Sequence, residues 1–363
     1  MRLPVNPPLK PMLAKRVDAL PDGQGWIFEP KWDGFRALVF RDGDELEIQS
    51  RDEKPLGRYY PELVGALKEQ LPRHCVLDGE IVIAGASGLD FEALQLRLHP
   101  AASRVQNLSR QIPASVVFFD VLCEGDRDLR ASPFSARRVI LERLLKGARP
   151  PLHITPATRD HAVAADWFER FEGAGLDGVI AKSASGVYEP NKRVMLKVKH
   201  ERECDCVVAG FRWHKRGERT AVGSLLLGLY DQAGKLQHVG VCASFTDKKR
   251  HELVGFLKPH RTESLRGHPW EAWAMTDAGD GSGGPQRRPG AQSRWSQGKD
   301  LSWQPLRPEV VVQVAYDHMQ GSRFRHTAQF RRWRTDKRPR DCTFAQLEVV
   351  APHELTAIFA TGD

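Results

Sequence analysis

Lys31 lies in the stretch EPKWDGFR, residues 29–36, with an apolar run on each side. An Asp-Gly pair between two apolar runs predicts a strand, a tight turn and a second strand. A lysine at the mouth of such a turn would be held on rigid backbone and could act as a nucleophile. Taken alone the signal is weak, since ordinary residue frequencies produce a K-x-D-G match in about one chain of this length in ten.

Five separated segments, this one included, place ionisable side chains on or beside predicted strands, where core residues would be expected. They contribute Lys31 with Arg36, Arg51, Glu80, Asp177 with Lys182, and Lys197 with Lys199. Any one of these side chains, taken alone, is more often a solvated edge residue than a functional one. Together they combine carboxylates with many cations, and that combination suits a nucleoside triphosphate with its metal ion.

The chemistry that these groups would support is nucleotidyl transfer to a lysine. The amine must be neutral to attack the α-phosphorus, whereas a free lysine has a pKa of about 10.4. Nearby cations and partial burial both lower the pKa of a lysine. The same cations stabilise the charge on the phosphates as pyrophosphate leaves. Arginine could not replace Lys31, because a guanidinium is essentially never neutral.

Two carboxylates and two aromatic residues would complete such a site. Glu80 and Asp177 can hold Mg²⁺ through oxygen atoms, with Mn²⁺ as an alternative ion. A purine base needs a flat apolar surface, which the predicted strand carrying Phe118 and Phe119 could supply. The residues therefore predict a nucleoside triphosphate and a divalent metal as cofactors.

Seven motifs occur in an order that resembles a known family. They are EPKWDGFR at 29–36, SRD at 50–52, LDGE at 77–80, FFDVL at 118–122, DGVIAK at 177–182, LKVK at 196–199 and RWRTDK at 332–337. In this order and spacing they resemble the covalent nucleotidyltransferases, and specifically the ATP-dependent DNA ligases. The strings SRWSQGKD at 293–300 and GSRFRHTAQFRRWRTDK at 321–337 most resemble the compact bacterial ligase C class.

This resemblance implies ATP as the nucleotide and a role for each motif. Lys31 would form a lysyl-AMP intermediate, Glu29 would help to read the adenine, and Phe119 would stack on it. Arg36 and Arg51 would contact the ribose and the 5′-phosphate side, Glu80 would contact the ribose or the metal, and Asp177 would bind the metal. Lys182, Lys197 and Lys199 would hold the α-phosphate. Arg334, Asp336 and Lys337 would close over the pyrophosphate. The family usually has glutamate where this chain has Asp177, so Glu172 is a second, lower-ranked candidate for the metal carboxylate.

The helices and strands that must position these residues are predicted to form two domains, with a boundary at about residue 202. Residues 1–202 are predicted as an α+β adenylation domain with antiparallel sheets, flanking helices and an extended proline-rich stretch over 1–25. Helices are expected at 61–71, 91–98, about 132–146 and about 160–172, with a polar connection over 99–113. In the third helix, Ser132 would be the N-cap and Val139 would face the core.

Residues 203–363 are predicted as a β-barrel, an OB-fold. Several short strands and one helix without a βαβ period favour this architecture. The strands are expected at 207–213, 222–230, 235–243 and 310–316, and the helix at 247–257 with Thr246 as its cap. The stretch 277–298 is rich in Gly, Ser, Pro and Gln and is expected to form a flexible loop.

Composition narrows the class of protein. The formal net charge of +8 over 363 residues favours a polyanionic partner. The six cysteines form no metal-binding spacing, and reduced core thiols in a cytoplasmic protein account for them. No signal-peptide or membrane-spanning run is present. We expect a monomer in the cytoplasm, acting at the nucleoid.

The leading interpretation is an enzyme that seals 5′-phosphate/3′-hydroxyl nicks in duplex DNA during repair. The basic turn at 214–219 and the arginines near 323–340 would contact phosphates, although a merely solvated basic face is an alternative. An RNA ligase or an mRNA-capping guanylyltransferase would share the lysine motif. A non-catalytic DNA-binding protein on a decayed ligase scaffold is a third interpretation, but no ionisable motif position has been lost. Repair or end-joining partners are not identifiable from the sequence.

Overall fold

A computed structural model describes residues 1–85, 88–271, 302–317 and 319–347 of the chain. The described residues divide into two compact units, one formed by Met1–Lys199 and the other beginning at His200. The first unit combines helices with two main sheets, and the second is built around one five-stranded antiparallel sheet. The predicted fold class, α+β followed by a β-barrel, is confirmed.

The first unit contains twelve strands and five α-helices in its described residues. The strands are β1 Leu13–Val17, β2 Trp26–Pro30, β3 Phe35–Asp42, β4 Glu45–Ser50, β5 His74–Val82, β6 Ala84–Gly85, β7 Gly88–Leu89, β8 Ser115–Glu124, β9 Arg127–Asp128, β10 Leu152–Ile154, β11 Val179–Ser183 and β12 Arg193–Val198. The helices are α1 Pro61–Gln70, α2 Phe91–Leu96, α3 Ala102–Gln111, α4 Phe134–Leu144 and α5 His161–Arg170, and a 3₁₀ helix at Phe171–Ala174 follows α5.

Two sheets share the core of the first unit. One has the strand order β1-β12-β11-β2, and the other has the order β10-β8-β5-β3-β4 with β9 added to β8. Apolar residues from both sheets meet in one cluster, where Phe28 of β2 and Val179 of β11 pack with Val82 of β5 and Val117 of β8. The two sheets therefore hold the motif strands against each other, because these strands are divided between them.

The stretch EPKWDGFR does not form the predicted hairpin. β2 pairs with β11 in the four-stranded sheet, whereas β3 pairs with β4 and β5 in the other sheet. Residues 31–34 thus cross from one sheet to the other. The Asp-Gly pair marks a change of chain direction, but the buried strands on both sides find their partners far away in the sequence, which local turn chemistry cannot specify.

Three further predictions about helices are wrong. Residues 102–111, expected as a polar connection, form α3. In α4, Pro133 rather than Ser132 occupies the N-cap position, and no side chain caps the helix. Val139 is 65% exposed, because α4 buries a face made of one phenylalanine, two arginines and one leucine, namely Phe134, Arg137, Arg138 and Leu141. Buried carboxylates on the sheets pair with those arginines, so charge pairing and not apolar patterning orients this helix.

The N-terminal segment packs along the first unit. Leu3, Val5, Leu9 and Met12 are buried against residues of β3, β5 and β8. The Gln49 side chain accepts a hydrogen bond from the Leu9 amide at 2.9 Å and donates to the Leu9 carbonyl at 2.6 Å. The segment then enters β1, which runs parallel to β12.

In its described residues, the second unit has one five-stranded antiparallel sheet and one α-helix. Its strands are β13 Arg202–His214, β14 Gly217–Tyr230, β15 Leu236–Cys242, β16 Gln304–Tyr316, β17 Met319–Gln320, β18 Arg323–Phe324 and β19 Gln329–Trp333, and its helix is α6 Asp247–Leu257. The sheet order is β15-β14-β13-β16-β19, and a bridge between Cys242 and Ala328 links its two ends. The Thr246 side chain caps α6 as predicted, accepting a hydrogen bond from the Lys249 amide.

The predicted flexible loop over 277–298 and the string SRWSQGKD lie outside the described residues. Within them, all six cysteines are buried and unpaired by disulfides, as predicted for core thiols. None of the described helices has the length and apolar character needed to span a membrane.

Candidate active site

Lys31 directly contacts a buried carboxylate from a distant motif. Its Nζ lies 2.6 Å from Oδ2 of Asp177, and the same oxygen lies 2.5 Å from Nζ of Lys199. Burial raises the pKa of Asp177, but the two ammonium groups outweigh it and hold that pKa below its ordinary value. Asp177 is therefore an ionised bridge between two lysines of different motifs.

Backbone hydrogen bonds fix this contact. The Lys31 amide donates to the Gly178 carbonyl at 2.8 Å, and the Asp177 amide donates to the Lys31 carbonyl at 3.0 Å. Gly178 has φ +117°, and a Cβ there would lie 2.0 Å from the Val198 carbonyl oxygen. Only glycine permits the turn to approach the end of β12 this closely, which explains the Asp-Gly pair in this motif.

Lys197 is a third lysine of the same group. It lies on β12, where it is paired with Ile180 of β11. Burial lowers its pKa, and the charges of Lys199 and Lys31 lower it further. Lys31, Lys197 and Lys199 thus place three positive charges close together beside the single carboxylate of Asp177. A bound phosphate group would neutralise the excess positive charge.

Glu29 on β2 is the centre of a second buried cluster of charged side chains. Its carboxylate lies 2.7 Å from Nζ of Lys182 and 3.4 Å from Nη1 of Arg138 on α4. Burial raises the pKa of Glu29, while both cations oppose that rise. The carboxylate is therefore held in one orientation by two charged donors.

Phe119 lies between two cations of other motifs. The guanidinium of Arg36 and the Nζ of Lys182 are each 4.7 Å from the ring centroid. The register of β5 and β8 shifts so that Asp78 faces Asp120 while Gly79 faces Phe118, which leaves Phe119 as the additional residue of a β-bulge. A bulge re-aims a side chain, and here it turns this aromatic ring from the core toward the charged residues.

Arg36 is held by a carboxylate that sequence reasoning did not assign. Its Nε and Nη2 donate to the two oxygens of Asp78 at 2.5 Å and 2.6 Å. The Tyr188 hydroxyl donates to the same carboxylate at 2.7 Å and accepts from the Met12 amide at 3.0 Å. Arg36 also donates to the Met12 carbonyl at 3.3 Å, so the N-terminal segment is tied to this ion pair.

Glu80 lies two residues after Asp78 on β5 and thus on the same face. Burial raises its pKa to about 7, although the charges of Arg36 and Lys31 oppose that rise. A carboxyl group poised near neutral pH can take up either a proton or a cation as the occupancy of the site changes.

The predicted residues of the second unit form a separate charged cluster within that unit. Arg334 contacts Asp205 at 3.0 Å and Asp336 at 2.8 Å, and Lys337 contacts Asp205 at 2.9 Å. Asp205 was not among the predicted site residues. Its position between two cysteines in an apolar strand was the available signal, since a buried charge needs a partner.

Two predicted residues lie apart from these contacts. Arg51 is exposed in the turn after β4. Glu172 lies in the 3₁₀ helix at Phe171–Ala174, and its carbonyl accepts from the Gly175 amide. The contact with Lys31 is made by Asp177.

The residues that sequence reasoning missed are charged partners of the predicted site residues. Asp78 stands inside the LDGE motif, and strand alternation could have placed it beside Glu80. Arg138 carried no local signal, because its partner Glu29 is 109 residues away.

Within the described residues, no group of three or more His, Cys, Asp or Glu side chains is arranged to hold a metal ion. Mg²⁺ in nucleotide enzymes usually takes one or two carboxylates together with substrate phosphates. Asp177 and Glu80 would be the two carboxylates, and donors of this kind suit a metal that binds together with its nucleotide.

Comparison with known proteins identifies both halves of the chain. A family model described as "ATP dependent DNA ligase domain" matches residues 11–199, and one described as "ATP dependent DNA ligase C terminal region" matches residues 218–337. DNA ligase C2 of Mycolicibacterium smegmatis is 56% identical over 96% of each chain. DNA ligase C of Mycobacterium tuberculosis is 55% identical, again over 96% of each chain.

Among solved structures, a Lig E DNA ligase covers 90% of this chain and 99% of its own, with a TM-score of 0.53 and 16% identity. That likeness shows the fold. The predicted resemblance to the ligase C class is confirmed by the mycobacterial relatives.

Proposed function

The chain belongs to the ATP-dependent DNA ligase family and is a DNA ligase, and from that premise we propose that it seals 5′-phosphate/3′-hydroxyl nicks in duplex DNA through an AMP adduct on Lys31. The observation that carries this proposal is the contact between Lys31 and Asp177, with Lys199 on the same carboxylate oxygen. This contact brings residues of three motifs, at 29–36, 177–182 and 196–199, together beside the Lys31 amine.

The reaction has three steps. The Lys31 amine attacks the α-phosphorus of ATP, so that a P–N bond forms and the α–β phosphoanhydride bond breaks, releasing pyrophosphate. An oxygen of the DNA 5′-phosphate then attacks the same phosphorus and releases the lysine. Finally, the 3′-hydroxyl attacks the 5′-phosphate, closes the phosphodiester bond and releases AMP.

The chain's cations and carboxylates have separate tasks in the first step. Lys182, Lys197 and Lys199 would stabilise negative charge on the α-phosphate. Glu29 would orient the adenine, and Phe119 would support it by stacking. Arg36 and Arg51 would contact the ribose and the 5′-phosphate side.

The remaining nucleotide contacts concern the metal and the pyrophosphate. Glu80 and Asp177 would hold Mg²⁺, or Mn²⁺ in its place, and the ion would supply charge neutralisation for the phosphates. Arg334, Asp336 and Lys337 would act on the leaving pyrophosphate.

DNA would be bound mainly through its phosphates. The turn at 214–219 and the arginines of 323–340, of which Arg332, Arg338 and Arg340 are exposed, would supply cations for this purpose. We propose that the enzyme acts in DNA repair, where a nick with these ends is the last intermediate. We further propose that it is a monomer in the cytoplasm. The boundaries 1–202 and 203–363 are our proposed division into adenylation and OB-fold domains.

Intact-mass spectrometry of freshly purified protein tests the adduct. We expect the mass of one adenylyl group on a fraction of the wild-type chains and on none of the Lys31→Ala chains. Lys68→Ala, on the exposed face of α1, is the control that should keep the adduct. An adduct on the Lys31→Ala protein would reject Lys31 as the nucleophile.

Sealing assays separate the steps. Lys31→Ala should not seal an ordinary nick but should seal a nick that already carries 5′-AMP, because only the first two steps need the lysine. Incubation of the protein with radiolabelled ATP or GTP distinguishes an ATP-dependent ligase from a capping guanylyltransferase. Covalent labelling of the protein by GTP alone would reject the proposed ATP-dependent reaction. Unchanged sealing of ordinary nicks by Lys31→Ala would reject the mechanism.

A further inference from the structure

Within the described residues, Asp205 is a buried carboxylate that contacts both Arg334 and Lys337 of the RWRTDK motif. We propose that Asp205 is a positioning residue for adenylation: it anchors Arg334 and Lys337 on one carboxylate and leaves one edge of the Arg334 guanidinium available to the pyrophosphate. This inference rests on the proposed function, because it assigns Asp205 to the first step alone.

Arg334 presents its two edges to two different carboxylates. Its Nη1 donates to both oxygens of Asp205 at 3.1 Å and 3.0 Å. Its Nε and Nη2 donate to the oxygens of Asp336 at 2.9 Å and 2.8 Å. The guanidinium is therefore held in one plane by a two-sided set of hydrogen bonds.

The two carboxylates differ in burial. The Asp205 side chain is 8% exposed, whereas the Asp336 side chain is 65% exposed. An exposed ion pair is weak and easily exchanged, while a buried one is costly to break. A phosphate can thus replace Asp336 on the Nε and Nη2 edge, which has the geometry for two-bond phosphate recognition, and Asp205 keeps its hold on the other side.

Asp205 is itself fixed from its backbone. The Gln346 side chain accepts from the Asp205 amide at 2.9 Å and donates to the Asp205 carbonyl at 2.9 Å. On β13, Asp205 is paired with Gln313 of β16. Its carboxylate therefore has little freedom to follow the cations, so the cations must take their position from it.

Lys337 shares the anchor. Its Nζ lies 2.9 Å from Oδ2 of Asp205, the oxygen that also accepts from Arg334. Two positive charges held beside each other repel, and the carboxylate between them makes the arrangement stable. Without the negative charge of Asp205, the side chains of Arg334 and Lys337 would move apart. They would then no longer bind one polyphosphate together.

The test measures the effect of Asp205→Asn in two reactions. ATP–pyrophosphate isotope exchange reports adenylation without DNA, and we expect the rate to fall at least tenfold. Sealing of a nick that already carries 5′-AMP is measured in Lys31→Ala and in Lys31→Ala/Asp205→Asn, both of which are free of bound AMP. Here we expect rates within twofold of each other.

Glu203→Gln is the matched control on the same strand. Glu203 pairs with Arg331 at 3.1 Å and takes no part in the Arg334 cluster, so exchange should stay within twofold of wild type. Asp205→Glu keeps the charge and should restore part of the exchange. Equal exchange in Asp205→Asn and wild type, or an equal fall in both reactions, would overturn the inference. Failure of the wild type itself to exchange label would instead reject the proposed function.

Discussion

The Asp177 carboxylate, which we propose as a metal ligand, lies 2.6 Å from the Lys31 ammonium that we propose as the nucleophile. A metal ion that binds Asp177 must therefore displace or share this contact. Such competition would free the amine when the nucleotide and its metal arrive, and it makes the identity of the carboxylate experimentally testable.

We predict that Asp177→Ala impairs Mg²⁺-dependent adenylation more than Glu172→Ala does. Asp177 contacts Lys31 and Lys199 directly, whereas Glu172 lies five residues earlier in a 3₁₀ helix. The measurement is the rate of adduct formation over a Mg²⁺ titration. A larger loss in Glu172→Ala would move the metal site to that residue.

The Glu80 carboxyl makes the stability of the protein depend on pH. Burial raises its pKa from an ordinary value of 4.5 to about 7, so the folded protein holds this proton more tightly than the unfolded chain. The stabilisation is complete below pH 4.5 and is lost as the pH rises through about 7. The free energy of unfolding of wild type, relative to Glu80→Gln, should therefore decrease over that range.

Urea unfolding at several pH values measures this difference. Glu92→Gln, on the exposed surface of α2, serves as the control and should give a difference from wild type that does not change with pH. A constant difference between wild type and Glu80→Gln would contradict the assignment.

Tyr188→Phe should destabilise the first unit by about 1.5–3 kcal/mol, the usual range for a buried hydrogen bond to a charged group. The substitution removes the donor to Asp78 and leaves the Met12 amide without its acceptor. The midpoint of urea unfolding should fall. Tyr59→Phe is the control, because the Tyr59 hydroxyl makes no hydrogen bond within the part of the chain that the structure describes. A comparable loss in Tyr59→Phe would contradict the assignment.

Gly34→Ala and Gly65→Ala should have opposite effects on stability. A Cβ on Gly34 would lie 2.1 Å from the Ile81 carbonyl oxygen, so the crossing between the sheets must shift and carry Lys31 with it. Gly65, inside α1, has nothing within 4 Å of the added carbon, and alanine there should stabilise the helix by about 0.5–1 kcal/mol.

Thermal unfolding and adduct formation together check this pair. Gly34→Ala should lose both stability and the AMP adduct, while Gly65→Ala should keep the adduct and unfold at a higher temperature. A Gly34→Ala protein with normal stability and adduct formation would show that the crossing tolerates the displacement.

Elements with strong local signals were predictable. The helix α6, with its cap at Thr246, follows the expected bounds of 247–257, because capping and helical periodicity act within a few residues. The helix α4 shows the limit of this reasoning. The apolar spacing predicted that Val139 faces the core. In the structure, Arg137 pairs with Asp120, which is 17 residues away, and another face of the helix packs against the sheet.

The sequence by itself determined the family of this protein and the chemistry that we propose for it, since the order of seven motifs and the types of their charged residues are properties of the chain alone. Only the tertiary structure decided that residues 29–36 cross between two sheets and which carboxylate holds which cation. Asp78 pairs with Arg36 over 42 residues, Asp177 with Lys31 over 146, and Asp205 with Arg334 over 129. Such pairs depend on competition among long-range contacts for each strand and each charge, and no local propensity encodes its outcome.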